Sequence, residues 1–586
     1  MTIGYLAILI PSDASLATIA RQIAERVRDI LGFEKVFDSN KIIIIANIST
    51  PIIVIPNKVG VVVGSIFDRN SSENDILDII NKKVNDISSS KGEIFIKEFW
   101  GSYVGFIDSS SDENYISIIR DPSGFTPCFR AEIEEIPIYF SDIDFLLKSK
   151  LFSSKINWDF IVQHLAYPNL RTASTGILGV TEVVAGTRVE DYFLSRKVIN
   201  CWSPWDFASR DKQMKNRSVM VDNLRDEVSR CVKVWADKNK SFLMEVSGGL
   251  DSSIVATCLS NCESKISCIT IAARDPAGDE RKYARLVADF IGRPLLEVEL
   301  LVEESEIIST PARRLPRPAF SMVQHAFQQN VARQATVNFS DGIFSGGGGD
   351  NVFCSLNSAS PAADALFSLG FGRVFLKVLR DLSALHQVTI WKICKLSLKK
   401  MIYNNKNYSW KINKKFLSNN LEIPKHEPHP WLDLPSGALP GKFEHIRSLM
   451  VVQTTMDGME GGDICPVYYP LLSQPLVELC LSIPTWEWVS DGINRSVVRE
   501  SFDKLIPDKI SKRRGKGNYI TFAGEVFEKN REVLRDILIG GVLHKRGIID
   551  ANEINNFLND GIKSRDSSFL RMFEIANTEN WVKSME

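Results

Sequence analysis

The sequence predicts an α/β protein in two parts, a strand-rich region over residues 1–205 and a parallel-sheet domain over residues 206–586 that becomes helical toward its C-terminus. Three observations predict this. Short β-branched runs separated by turn residues crowd the first 200 residues, the texture of a strand-rich region. From Ser218 onward, strand-like runs alternate with helix-like ones, the pattern of a parallel sheet with crossover helices. Two of those later strands end in glycine-rich turns that carry an acid, as at the ligand-binding end of an open α/β sheet.

In the first part the spacing predicts strands at Ile42–Ala46, Ile52–Ile55, Val59–Val63, Ile94–Ile96, Tyr103–Ile107 and Tyr115–Ile119, separated by Ser/Asn/Asp/Gly turns. Arg120-Asp-Pro-Ser-Gly124 reads as a tight turn. Polar and charged residues take over around Trp202–Arg217, which places the boundary there. In the second part helical spacing covers Val219–Trp235, Ser252–Ser260 and Met322–Ala335. The helix over Arg281–Ile291 carries Ala284, Val287, Ala288 and Ile291 on one face. Strands are expected at Ser241–Val246, Ile266–Ala273, Pro294–Leu300 and Gly342–Ser345, and beyond Pro361 the chain is mainly helical.

Composition narrows the function classes. Seventy Lys and Arg against 71 Asp and Glu give a net charge of −1, and 44% of residues are hydrophobic. That balance argues against a basic nucleic-acid binder and against an acidic tail. The most apolar stretch, Ile42 to Phe67, is broken by Asn47, Pro51, Pro56, Asn57 and Lys58, short of the ~18 uninterrupted apolar residues a membrane span needs. No secretory signal pattern opens the chain, and the ten cysteines form no Cys-x-x-Cys pair. The expectation is a reduced, cytoplasmic protein with neither nucleic acid nor membrane as partner.

Chemistry concentrates in Glu245-Val246-Ser247-Gly248-Gly249-Leu250-Asp251-Ser252-Ser253. Adjacent glycines let the backbone turn its N–H groups toward an anion, the three serines add hydroxyl donors, and the helix that starts here adds its positive end. Asp251 would repel a diphosphate unless a cation lies between them, so it is expected to bind Mg²⁺. A Gly-Gly turn with an ordinary Ser/Asp helix cap is the alternative. Ser345-Gly346-Gly347-Gly348-Gly349-Asp350 forms the second turn, and the parallel sheet would bring Asp350 onto the same metal as Asp251. No Walker loop is present; Gly437–Phe443 has the wrong spacing.

Ser247–Ser253 resembles the pyrophosphate motif of the ATP pyrophosphatases, which have the adenine nucleotide alpha hydrolase fold. Asp279-Glu280-x-x-Tyr283-Ala284, Ser345–Asp350, Tyr469-Pro-Leu-Leu-Ser473 and Arg514-Gly-Lys516-Gly517 extend the resemblance to the asparagine synthetase branch across residues 218–520. The resemblance implies ATP and Mg²⁺, with Asp251 and Asp350 on the metal, and adenylation of a carboxylate followed by acyl transfer to an amine. It implies that Lys516 reaches the α-phosphate and that Glu460 takes the amine's proton. A solvated loop cation and an exposed helix-end acid are the plainer readings of those two residues. By position in the fold, Val246 with Glu245, and Ile269 to Ala272, are expected to line the adenosine pocket.

The first part resembles the glutaminase of that branch, an N-terminal-nucleophile hydrolase sandwich, in Gly64–Phe67, Trp100–Phe106, Arg120–Gly124 and Ala185–Thr187. The nucleophilic cysteine expected at position 2 is Thr2, and no cysteine precedes Cys128. A degenerate glutaminase yields no ammonia, so the amine belongs to the substrate. Gly347 stands where asparagine synthetases place Glu and β-lactam synthetases Tyr, which leaves room for a bulky acceptor. His429-Pro-Trp431 and Pro440-Gly-Lys442-x-x-His445 then make the chain similar to lasso peptide macrolactam synthetases. That resemblance implies a precursor peptide as substrate, with a leader peptidase and a leader-recognition protein as partners. A β-lactam synthetase-like or asparagine synthetase-like ligase acting on a small-molecule carboxylate, and a silent binding protein, are the alternatives. Residues 391–420 hold eight Lys and no acid, which suits a long substrate, RNA, or merely a solvated helix face.

Overall fold

The computed structural model describes all residues other than 1–2, 71–75, 109–114, 194, 274–277, 306, 308–314, 320–321, 403–409, 458–464, 516, 518–519 and 563–565. The first part contains two six-stranded sheets. One runs, in spatial order, Thr181–Glu182, Phe129–Ile133, Ile136–Phe140, Tyr5–Leu9, Ile42–Ala46 and Glu34–Asp38. The other runs Arg196–Asn200, Thr187–Asp191, Ile116–Arg120, Phe99–Asp108, Gly60–Asp68 and Ile52–Ile55. Every pairing in both is antiparallel.

Strands such as Ile42–Ala46 are apolar at every position because both faces are covered. Tyr5, Ala7, Leu9, Ile42 and Ile44 of one sheet meet Val61, Val63, Val104 and Phe106 of the other. The opposite faces lie under the helix Ala14–Leu31 and under helices that include Ile94–Glu98. This is the α-β-β-α sandwich expected of the first part. One element differs: Ile94–Ile96, expected as a strand, is helical. All three side chains are buried against the sheet, and that packing overrides the β preference of isoleucine.

The second part is built on a five-stranded sheet in the order Leu295–Glu299, Lys265–Ala272, Ser241–Glu245, Gly342–Phe344, Val467–Tyr468, parallel throughout. The chain starts in the middle, works outward through the first two neighbours, then crosses back to Gly342–Phe344. The order therefore reverses between Ser241–Glu245 and Gly342–Phe344, and the carboxyl ends of those two strands carry the two glycine-rich turns. A ligand crevice belongs at such a switch point. Among the described residues no helix is long and apolar enough to cross a membrane.

Buried polar contacts fasten the two parts together. Glu478 accepts from Arg69 at 2.6 and 2.9 Å and from Trp202 Nε1 at 2.8 Å. Glu182 is buried and pairs with Arg120 and Arg171 of its own part and with Arg317 of the other. A side chain at Gly176 would collide with the Trp581 ring. The Lys-rich segment divides in two. Ile390–Ile402 is a helix with Trp391 exposed, whereas Trp410 is buried and donates to Pro168 O, and Asn413 N donates to Ala166 O. From Trp410 the chain is a strap between the two parts, since Ser418 N donates to Ile548 O and Asp550 N to Phe416 O.

Candidate active site

The strand Ser241–Glu245 ends at Val246, the chain reverses through Ser247-Gly248-Gly249, and the helix Leu250–Ser260 begins. Gly248 has φ +66°, and a Cβ there would sit 2.3 Å from Tyr283 Cβ and 2.7 Å from its carbonyl carbon. Only glycine permits so close an approach of the helix Arg281–Ile291. The second turn packs directly on the first. A Cβ at Gly346 would lie 2.5 Å from Ser252 N, and one at Gly349 2.5 Å from Asp251 Cγ. Gly348, at φ +83°, leads into the turn of helix that carries Asp350.

Two carboxylates thus converge. Arg495 Nη1 donates to both oxygens of Asp251, at 2.8 and 2.9 Å, and lies 2.6 Å from Asp350 Oδ1. Asp251 is buried and Asp350 half-exposed. A single positive charge already lies within reach of both acids, so the pair fits a divalent cation, with further oxygens available from a phosphate or water. Arg495 holds this place from a left-handed backbone, φ +52°, at the start of the helix Ser496–Ser501. A non-glycine residue in that conformation is strained, and such strain gathers at functional sites. Sequence reasoning missed Arg495 because an arginine at a helix start looks like any surface cation.

Ser247 and Ser252 hydroxyls lie 3.2 Å apart at the loop. The Ser253 hydroxyl, expected to face a phosphate, is instead fully buried and donates back to Gly249 O, one turn earlier in its own helix, at 2.7 Å. Val246 and Ile269 also differ from expectation in their side chains. Both are about 1% exposed and belong to the hydrophobic core, and Val246 N donates to Ile269 O across the strands, so neither side chain lines open space. Glu245 ends the central strand, and burial pushes its carboxyl up to about 7.

Gly347 was expected to leave room for a bulky acceptor, but that space is filled. A Cβ there would meet the Tyr469 ring at 3.1 Å and Met456 Cε at 3.3 Å. Tyr469 in turn contacts Phe125 of the sandwich, with ring centroids 5.7 Å apart. Glu460 and Lys516, the expected base and phosphate-binding lysine, and Thr2, lie outside the described residues. Cys128 does not stand in for the missing nucleophile, since burial pushes its thiol up to about 12.

The loop around position 516 is nevertheless anchored. Glu280 Oε1 accepts from Arg513 Nη2 at 2.6 Å and from Gly517 N at 2.7 Å. Arg513 Nη1 reaches Gly248 O at 3.0 Å, and its guanidinium stacks 3.8 Å over the Tyr283 ring. Glu280 and Tyr283, quoted from sequence only as a motif, thus tie this loop to the pyrophosphate turn. Beside them opens a cleft of about 620 Å³ lined by Lys282, Lys509, Lys512, Arg513 and Arg514, a positive approach to the loop.

Residues 223–583 match the asparagine synthase family. The chain belongs to that family. The asparagine synthase domain is an ATP-dependent, amide-forming ligase domain, and here it takes in both glycine-rich turns, Arg495 and the 513–517 loop. No curated protein sequence matches the chain. Among solved structures, it is 10% identical to a glutamine phosphoribosylpyrophosphate amidotransferase from B. subtilis complexed with ADP and GMP. That match covers 50% of this chain and 65% of the other, with a TM-score of 0.19. An allosteric regulatory enzyme of purine biosynthesis is also 10% identical, over 54% of this chain and 77% of that one, with a TM-score of 0.17.

Two motifs that carried the lasso cyclase resemblance are structural in this asparagine synthase family member. Lys442 is fully buried and donates at 2.5 Å to Leu481 O and Ile483 O, closing the end of the helix Gln474–Ser482. His445 Nε2 lies 3.0 Å from Val352 O. Trp431, after His429, accepts on its carbonyl from Trp205 Nε1 and packs against Trp202 of the linking region.

Proposed function

We propose that the protein uses ATP to adenylate an Asp or Glu side-chain carboxylate of a precursor peptide, releasing pyrophosphate. The peptide's own N-terminal amine then attacks, giving the macrolactam and AMP, as in lasso peptide biosynthesis. The observation that carries the adenylation step is the meeting of two glycine-rich turns at the switch point of the sheet, with Asp251 and Asp350 drawn to one positive charge. Mg²⁺ held by those two carboxylates would neutralise the β- and γ-phosphates as they leave. Backbone N–H groups of the first turn, with the Ser247 and Ser252 hydroxyls, hold the diphosphate. Gly346 lets the second turn pack on the first, and the backbone of Gly346, Gly347 and Gly348 would then border the nucleotide. Lys516, on the loop that Glu280 anchors, stabilises charge on the α-phosphate, and Glu460 receives the amine's proton. Holding amine and acyl-adenylate together would supply ~7–11 kcal/mol of the barrier.

The peptide reading is supported by the sequence resemblance to lasso cyclases and by a first part without a cysteine nucleophile, which leaves the substrate to provide the amine. A leader peptidase and a leader-recognition protein are then its partners. The filled space beside Gly347 favours a second reading, a ligase for a small-molecule carboxylate. The deciding experiment incubates the protein with Mg-ATP and a leaderless precursor from the neighbouring reading frame, following AMP, pyrophosphate and peptide mass. Loss of one water with an equal amount of AMP supports cyclisation. AMP without a change in peptide mass supports the small-molecule reading, and ADP in place of AMP removes both.

A further inference from the structure

Twenty-two large hydrophobic side chains are exposed among the described residues, and eight of them lie between Leu369 and Leu398. They include Trp391, 82% exposed, and Phe371, 77% exposed. The helices Ser360–Leu369, Arg373–His386 and Ile390–Ile402 of this region pack on one another. Their inner face is the satellite core of Phe375, Val378, Leu382 and Ile393. On the helix Ile390–Ile402, Trp391 and Leu398 are seven residues apart and so share one face, with Lys395 between them and Lys392 and Lys399 beside them.

The charge is as one-sided as the hydrophobicity. Between residues 371 and 402 there are seven cations and one acid, Asp381. That acid is buried, accepts from Asp491 N and has only Lys377 of these cations near it, so it offsets little of the surface charge. Lys400 is spent on Glu444. Arg373, Lys377, Arg380, Lys392, Lys395 and Lys399 remain directed to solvent. Trp391, Leu396 and Leu398 are all exposed, so this face is open.

We propose that the outer face of this helical unit, centred on the helix Ile390–Ile402, docks on an anionic phospholipid bilayer. This departs from the sequence expectation that the protein has no membrane partner. Lysine is depleted from protein–protein interfaces, whereas helices that lie in the membrane interface combine Lys and Arg with Trp, Phe and Leu. Trp prefers the headgroup level, lysine stems bury along apolar surface while their ammonium groups reach phosphates, and anionic lipid supplies the missing negative charge. A nucleic acid would match the cations but gives no role to Leu376, Leu396 and Leu398.

The test floats full-length protein with vesicles of phosphatidylcholine alone or of phosphatidylcholine with phosphatidylglycerol. Wild type is expected to float with the anionic vesicles, weakly with the zwitterionic ones, and less as salt rises. The triple variant K392E/K395E/K399E should lower anionic-vesicle binding at least ~tenfold. Trp391→Ser should keep the low-salt binding and lose the part that resists salt. All four positions are exposed, and an unchanged thermal midpoint establishes that the variants are folded. Wild type that stays with the pellet, flotation that both variants leave unchanged, or Lys-dependent capture of RNA or a polyacidic peptide without flotation would each overturn the proposal. The outcome is independent of the ligase reading, because no nucleotide or peptide enters the assay.

Discussion

Arg495 Nη1 donates to both carboxylate oxygens of Asp251, at 2.8 and 2.9 Å, from a position that also touches Asp350. A guanidinium therefore holds in place two acids that a metal would otherwise have to draw together against their repulsion. Its Nε is buried with no hydrogen-bond partner among the described residues, so Arg495 is held mainly through these ion pairs. Removing it takes this bidentate ion pair from a buried carboxylate, a change that costs up to ~3 kcal/mol.

Arg495→Ala is thus expected to lower the thermal midpoint in metal-free buffer and to regain most of the loss on adding Mg²⁺, with wild type responding far less. A thermal-shift titration with Mg²⁺ alone measures this. Equal responses in the two proteins would mean that Asp251 and Asp350 do not share a cation site.

Glu280 is expected to matter for turnover beyond its contribution to stability. Its Oε1 carries both Arg513 and Gly517 N, so Glu280→Ala frees the loop on both sides of position 516. A ~100-fold fall in ATP–pyrophosphate exchange, about 2.7 kcal/mol in transition-state binding, is expected, with KM for ATP rising less than kcat falls. Glu280→Gln keeps an acceptor for Gly517 and should recover part of the rate. No difference between Ala and Gln would place the effect in the lost ion pair with Arg513 alone.

The glycines of the second turn are expected to differ sharply. Gly346→Ala drives a methyl to 2.5 Å from Ser252 N, a backbone atom that cannot yield, and should abolish exchange. Gly347→Ala meets the edge of the Tyr469 ring at 3.1 Å, which can shift by a few tenths of an ångström, and should cost only about 1 kcal/mol of stability. Parallel assays of the two variants check the contrast, and equal loss in both would show that the Tyr469 side of the turn is as rigid as the Ser252 side.

The parallel sheet and both turns were legible in sequence because each depends on local pattern: strand, glycine turn, helix. The helix at Ile94–Glu98 was not, since three β-branched residues in a row favour a strand until the sheet beneath them is known. Arg495 and the double role of Glu280 were hidden for a different reason. Their partners are 244 and 237 residues away, at Asp251 and Gly517, and sequence spacing carries no trace of such contacts. Conversely, the Pro-Gly-Lys-x-x-His motif carried a family resemblance in sequence, and in the structure its Lys442 and His445 pack the core.

That buried motif gives the last prediction. Asp364, fully buried, accepts from Gly441 N at 2.7 Å and from Thr485 Oγ1 at 2.6 Å, beside Lys442. Burial raises its carboxyl from 3.8 to about 7, and the hydrogen bonds only partly oppose this. Between those values the folded protein holds a proton that the unfolded chain has released, so stability falls as pH rises from about 4 to about 7 and is then level. Burial lowers the Lys442 ammonium to about 8, so its own contribution changes only above that pH, with stability rising. The Asp364 window is therefore separate from that of its neighbour. The full shift corresponds to on the order of 4 kcal/mol. Asp364→Asn cannot ionise, so the stability of wild type relative to this variant should drop by roughly 2.5 kcal/mol between pH 5 and pH 7.5, as read from denaturant unfolding at the two pH values. A constant difference would mean that Asp364 is charged at both, stabilised by Lys442 more than burial disfavours it.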